Sequence, residues 1–112
     1  MDGIGYRRLI AWQLADKFAW EVYKFSDEFP RNETYGLTSQ LRRSALSVAL
    51  NIVEGYARNS RNEFRQFLKI SLGSLAEAGY LLEFSLKRGY LNHFAACAPY
   101  DSDRRASARD PR

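Results

Sequence analysis

Apolar residues recur along this chain at the spacing of α-helices, and no segment alternates with the period of two that is typical of a β-strand. In the first predicted helix, about residues 8–28, the apolar positions Trp12, Ala15, Ala19 and Val22 follow at intervals of three and four. The pattern predicts an amphipathic helix that packs its apolar face on its neighbours.

Two further helices are predicted after the loop that begins at Pro30. The second covers about residues 38–58, with Thr38 as its N-cap. Its apolar face consists of Leu41, Ala45, Val48, Ile52 and Tyr56. The third covers about residues 61–88, and its inward side consists of Phe64, Phe67, Leu68, Leu75, Ala78 and Leu82.

Both ends of the third helix carry sequence signals. Ser60 and Glu63 have the spacing of a capping box, in which each side chain bonds the other residue's backbone N–H. Lys87 and Arg88 suit the negative end of the helix dipole, and Gly89 suits the left-handed residue beyond it.

The C-terminal part is less regular. A short helix is predicted over residues 92–98, and the polar run 99–112, which begins with Pro99, is predicted to be a flexible tail. The sequence therefore predicts one all-α domain in residues 1–98.

The net charge of +4 is concentrated in residues 38–70, which contain six basic side chains against two acidic ones. The basic residues are Arg42, Arg43, Arg58, Arg61, Arg65 and Lys69. Two interpretations are open: a solvated face, or a surface that contacts the phosphates of RNA or DNA without reading their sequence.

A line of polar and small residues runs beside the apolar face of the second helix, and the third helix carries a matching line. The lines contain Ser47, Asn51, Glu54 and Gly55 on the second helix, and Ser74 and Glu77 on the third. They predict a polar seam between helices or between subunits. One alternative is a ligand or catalytic pocket built from Asn51, Glu54 and Glu77, because two carboxylates can support acid–base chemistry. Another is a mixed role, such as a lined pore. Because no nucleophile, metal-ligand set or phosphate-binding loop accompanies these carboxylates, we assign no catalytic residue, cofactor or small-molecule substrate.

Cysteine and histidine content limits the metal and redox chemistry. The single cysteine, Cys97, allows no disulfide within the chain, and with the single histidine, His93, it is too little for a zinc site in one chain. No apolar run reaches the roughly 18 to 20 residues of a membrane span. We therefore expect a cytoplasmic protein without a membrane partner.

Several short motifs occur in a fixed order along the chain. They include Phe29-Pro30, Tyr35-Gly36-Leu37, Thr38-Ser39-Gln40-Leu41-Arg42-Arg43, Asn51-Ile52-Val53-Glu54-Gly55 and Gly73-Ser74-Leu75. Over about residues 8–91 the chain resembles the bacterial four-helix bundle proteins named after the intervening sequences of 23S ribosomal RNA genes. The resemblance implies an up-down antiparallel bundle of the four-helix type that assembles into a homopentamer around a central channel. It implies no enzymatic activity.

After Leu91 the chain departs from the pattern of that family, because Pro99 and the charged residues behind it leave the fourth helix short or missing. The favoured hypothesis is a non-enzymatic, self-associating scaffold that contacts RNA or DNA through its basic face. The alternatives are a protein-binding adaptor with an exposed apolar groove in place of the fourth helix, and an enzyme that uses Glu54 and Glu77.

Overall fold

The computed structural model describes residues 5–91, which contain three α-helices and two 3-10 turns and no strand. Helix α1 covers Ile10–Ser26, α2 covers Leu37–Ala57 and α3 covers Arg61–Lys87, and the 3-10 turns are Tyr6–Arg8 and Arg31–Glu33. Helix α2 lies between α1 and α3 and contacts both. The all-α fold class is confirmed. The predicted helix at 92–98, the tail 99–112, His93 and Cys97 lie outside the described residues.

The apolar faces predicted for α1 and α2 are buried. One core cluster contains Val22, Phe29, Leu41, Ala45, Ala78 and Leu91, and a second contains Ala15, Val48, Ala49 and Ile52. Among the helices of residues 5–91, none combines the length and the apolar content needed to cross a bilayer.

The inward side of α3 differs from the prediction at Leu75, whose side chain is 42% exposed. The residues that α3 buries are Ser71, Ala78 and Ser85, at intervals of seven. These residues turn toward α2, and Leu75 lies to one side of their line. Small residues are thus the ones that α3 buries fully, while the predicted Phe64, Leu68 and Leu82 pack against the core as half-buried side chains.

The cap at Ser60 and the termination at Gly89 are confirmed, whereas the return bond from the Ser60 N–H to the Glu63 side chain is not formed within residues 5–91. The Ser60 hydroxyl accepts the backbone N–H of Glu63 at 3.3 Å. At the other end Gly89 adopts φ = 79°, and the N–H of Tyr90 donates to the carbonyl of Ser85 at 2.9 Å. This is the hydrogen-bond pattern of a glycine-terminated helix.

The predicted N-cap of α2 is wrong. The helix begins at Leu37 after Gly36, and the Leu37 N–H donates to the Glu33 carboxylate at 3.3 Å. Thr38 lies inside the first turn, where its buried hydroxyl has no hydrogen-bond partner among residues 5–91. The capping oxygen comes from Glu33, four residues before Leu37, because the 3-10 turn folds that side chain back onto the start of the helix.

Candidate functional site

Hydroxyl and amide groups connect α2 and α3 along the predicted polar seam. The hydroxyls of Ser47 and Ser74 lie 2.9 Å apart across the two helices. Asn51 donates to the Ser47 carbonyl at 2.8 Å and to its hydroxyl at 2.9 Å. The buried Ser71 hydroxyl donates to the carbonyl of Val48. The contacts of Ser47 with Ser74 and of Ser71 with Val48 therefore cross between two helices of the same chain, and Asn51 extends them within α2.

Gly55 lies where α2 comes close to α3. A Cβ atom at this position would lie 2.7 Å from Cβ of Phe67 and 3.0 Å from Cδ1 of Phe64. Both distances are shorter than van der Waals contact, so the helices could not approach this closely with any other residue at position 55.

Glu54 and Arg58 form an ion pair at the end of the seam. The Arg58 guanidinium lies 3.0 Å from the Glu54 carboxylate and 3.7 Å from that of Glu63, and it stacks 5.2 Å over the ring of Phe67. Arg58 therefore holds the connection between α2 and α3, and its charge is shared between two carboxylates.

Glu77 lies far from Glu54 in this arrangement. The Ser47–Ser74 contact fixes the register of the two antiparallel helices, and the two glutamates lie on opposite sides of it along the axis. At about 1.5 Å per residue, the two carboxylates are separated by about 15 Å along the helices. One chain therefore does not bring Glu54 and Glu77 together, and Glu77 is exposed.

The six basic residues of the middle third do not form one surface. Arg42 is half-buried: it donates to the Ser26 hydroxyl at 2.7 Å, to the Tyr23 carbonyl at 3.1 Å and to Asp27 at 2.9 Å. Its guanidinium also lies 4.5 Å from the centre of the Tyr23 ring. Arg42 thus joins α2 to the C-terminal end of α1, a role that its place in a basic run did not indicate.

The other basic candidates remain exposed. Arg43 lies beside Arg42 near the end of α1, whereas Arg61, Arg65 and Lys69 follow one another at intervals of four on α3, beginning at the α2–α3 connection. We call Arg61, Arg65 and Lys69 the basic row. The row forms a ridge along one side of α3, separate from Arg43.

A groove of about 260 Å³ lies between α1 and α2, and sequence reasoning missed it. It is lined by Asp16, Ala19, Trp20, Tyr23 and Leu46, and we call it the α1–α2 groove. Trp20 is 72% exposed. The only sequence signal was that Trp20 falls outside the apolar face of its helix, which indicates a surface position without showing what lies beside it.

A third polar cluster fixes the end of α3 to the connection between α1 and α2. The Tyr90 hydroxyl donates to the Glu33 carboxylate at 3.0 Å, and Arg88 donates to the Tyr90 oxygen at 3.2 Å. The hydrogen bond to Tyr90 raises the pKa of the Arg88 guanidinium. The same Glu33 side chain caps α2, so one carboxylate serves two elements.

Comparison with known proteins gives one result that bears on identity. No curated protein matches the chain. The sequence profile of the family described as 23S rRNA-intervening sequence protein matches residues 7–98, so the family pattern extends beyond Leu91. Because this match covers more than half of the sequence, the chain belongs to the 23S rRNA-intervening sequence protein family.

Proposed function

We propose that the protein is a non-enzymatic helical scaffold that acts as a homo-oligomer, with a homopentamer as the expected assembly. The observation that carries this proposal is an apolar surface that crosses the three helices at the same level along their axes. It consists of Trp20 on α1, Leu46 and Leu50 on α2, and Ile70 on α3, and we call it the apolar belt.

The contacts between the helices indicate that these residues lie at the same level along the helix axes. Trp20 and Leu46 line the same groove, and Leu50 lies one turn from Leu46. Ile70 precedes Ser71, whose hydroxyl reaches Val48. Leu50 is 62% exposed and Ile70 is 51% exposed. Large apolar residues grouped in this way are typical of protein–protein contacts, in which tryptophan is enriched.

Sedimentation velocity over a range of protein concentrations tests the proposal. Trp20→Ser should weaken association at least about tenfold, because a large aromatic anchor often dominates an interface. Tyr35→Ser is the matched control, since Tyr35 is also a large aromatic residue, is 96% exposed, and lies in the α1–α2 connection away from the belt. A wild-type protein that stays monomeric at about 100 μM would refute the proposal.

The basic row favours a second candidate function, the binding of RNA or DNA. Its three cations are exposed on consecutive turns of α3, and a row of this kind can neutralise successive phosphates. The seam contacts within one chain do not support the alternative of an enzyme using Glu54 and Glu77, because the two glutamates lie about 15 Å apart along α2 and α3.

Affinity for a single-stranded RNA, measured at several salt concentrations, tests the second candidate. Each phosphate contact contributes a slope of about 0.7 in a plot of log affinity against log salt concentration. Replacing the basic row by glutamine should lower the slope by up to about 2. Lys17→Gln and Lys24→Gln, exposed lysines of α1, are the controls. An unchanged slope would exclude the basic row as the binding surface.

A further inference from the structure

We propose that the α1–α2 groove of one copy receives the basic row of a second copy, so that cations of α3 enter an apolar and aromatic site with one carboxylate on the neighbouring chain. This inference rests on the proposed self-association and names the two surfaces that meet.

The lining of the α1–α2 groove suits a long cationic side chain. Ala19 and Leu46 offer apolar surface for the methylene groups, and the half-buried carboxylate of Asp16 offers a partner for the charge. Within residues 5–91, Asp16 makes no ion pair. A cation that enters the groove therefore meets an available carboxylate beside two aromatic rings.

The same part of α1 already binds a guanidinium. Arg42 lies 4.5 Å from the centre of the Tyr23 ring on the edge of this groove. Trp20, one turn earlier, presents a larger and more exposed ring of the type that attracts cations most strongly. The aromatic rings and the carboxylate of the groove thus favour arginine or lysine over an anionic group.

The basic row has the shape and charge that fit this groove. Side chains at intervals of four form a ridge along a helix, and such ridges pack into the grooves of neighbouring helices. On a second copy Lys17 and Lys24 are two turns apart and Arg43 is a single cation, whereas the row places three positive charges on successive turns. Charge complementarity therefore selects α3 of a second copy as the occupant.

This pairing determines the symmetry of the contact. The groove is formed by α1 and α2 and the row belongs to α3, so each copy uses two different surfaces. Contacts between unlike surfaces generate closed rings or open filaments, not two-fold dimers. Docking would also cover the basic row, so association and nucleic-acid binding by this row would compete.

Charge reversal tests the proposal by sedimentation velocity. Asp16→Lys and Arg65→Glu should each raise the dissociation constant for self-association at least about tenfold, because each places like charges together. The double variant should return to within about threefold of the wild type. An equimolar mixture of the two single variants should also associate, since the lysine introduced into the groove of one chain then meets the glutamate introduced into the row of the other. Glu28→Lys and Arg31→Glu, exposed residues of the α1–α2 connection, are the matched controls and should associate as the wild type does.

The outcomes separate this inference from the proposed function. Circular dichroism first establishes that the variants are helical. If the wild type associates and the single variants do so equally well, or if the double variant does not recover, the groove–row contact is refuted and self-association stands. If Arg65→Glu abolishes RNA binding without weakening self-association, the basic row binds nucleic acid and the groove–row contact is refuted. A monomeric wild type refutes both.

Discussion

The substitution Gly55→Ala tests the close approach of α2 and α3. In an ordinary helix interior this change stabilises a protein by about 1 kcal/mol, because glycine is the weaker helix former. Here the new Cβ would lie 2.7 Å from Cβ of Phe67, an atom attached directly to the backbone of α3. Rotation of the Phe67 side chain cannot relieve that contact, so the helices must move apart.

The expected magnitude follows from two opposing effects. Overpacking of this kind costs about 1 to 3 kcal/mol. Separating the helices would also lengthen the hydrogen bond between Ser47 and Ser74, which is 2.9 Å long. After the gain in helix propensity of about 1 kcal/mol is subtracted, we expect Gly55→Ala to lower the free energy of unfolding by up to about 2 kcal/mol.

Gly73→Ala is the matched control for this experiment. Gly73 also lies inside a helix, but a Cβ there would meet no atom within 4 Å. The control should therefore gain up to about 1 kcal/mol. Urea denaturation followed by circular dichroism, at one fixed protein concentration, compares the two variants. If both alanines stabilise the protein equally, the assignment of Gly55 to a close helix contact is wrong.

Three further substitutions test individual hydrogen bonds by the same measurement. Ser60→Ala should cost about 1 kcal/mol because it removes the N-cap of α3, and no loss would mean that the cap is dispensable. Arg42→Lys should cost about 1 to 2 kcal/mol, since an ammonium group cannot reach all three acceptors, whereas the exposed Arg43→Lys should have almost no effect. Ser71→Ala should lower the free energy of unfolding by about 1 kcal/mol, and by more than Ser44→Ala does, because the Ser44 hydroxyl bonds only a carbonyl of its own helix. Equal losses would contradict a hydrogen bond between α3 and α2.

Periodicity and local end signals were enough to predict most of the fold. The apolar faces of α1 and α2, the cap at Ser60 and the termination at Gly89 depend on residues a few positions apart, so the sequence contains all the information for them. The start of α2 was misplaced because its capping oxygen comes from Glu33, through a turn whose shape no local pattern signals.

The roles of individual charged residues could not be predicted in the same way. Arg42 and Arg43 are adjacent in a basic run, yet one is held by α1 and the other is exposed. The difference depends on which face of α2 meets α1, a tertiary contact. The groove at Trp20 was missed for the same reason, because its walls belong to two helices that are far apart in sequence.

The composition of the core explains why so much apolar surface remains outside. Alanine and serine fill many buried positions, including Ala15, Ala19, Ala45, Ala78, Ser71 and Ser85. Small side chains let the helices approach closely but bury few methylene groups, each of which contributes only about 0.8 kcal/mol. Covering the apolar belt in an assembly would add apolar burial that the single chain lacks. Because association stabilises the folded state by mass action, the Tm should then rise with protein concentration. A Tm that is independent of concentration would show that the small core alone supports the fold, and it would remove this energetic reason for assembly.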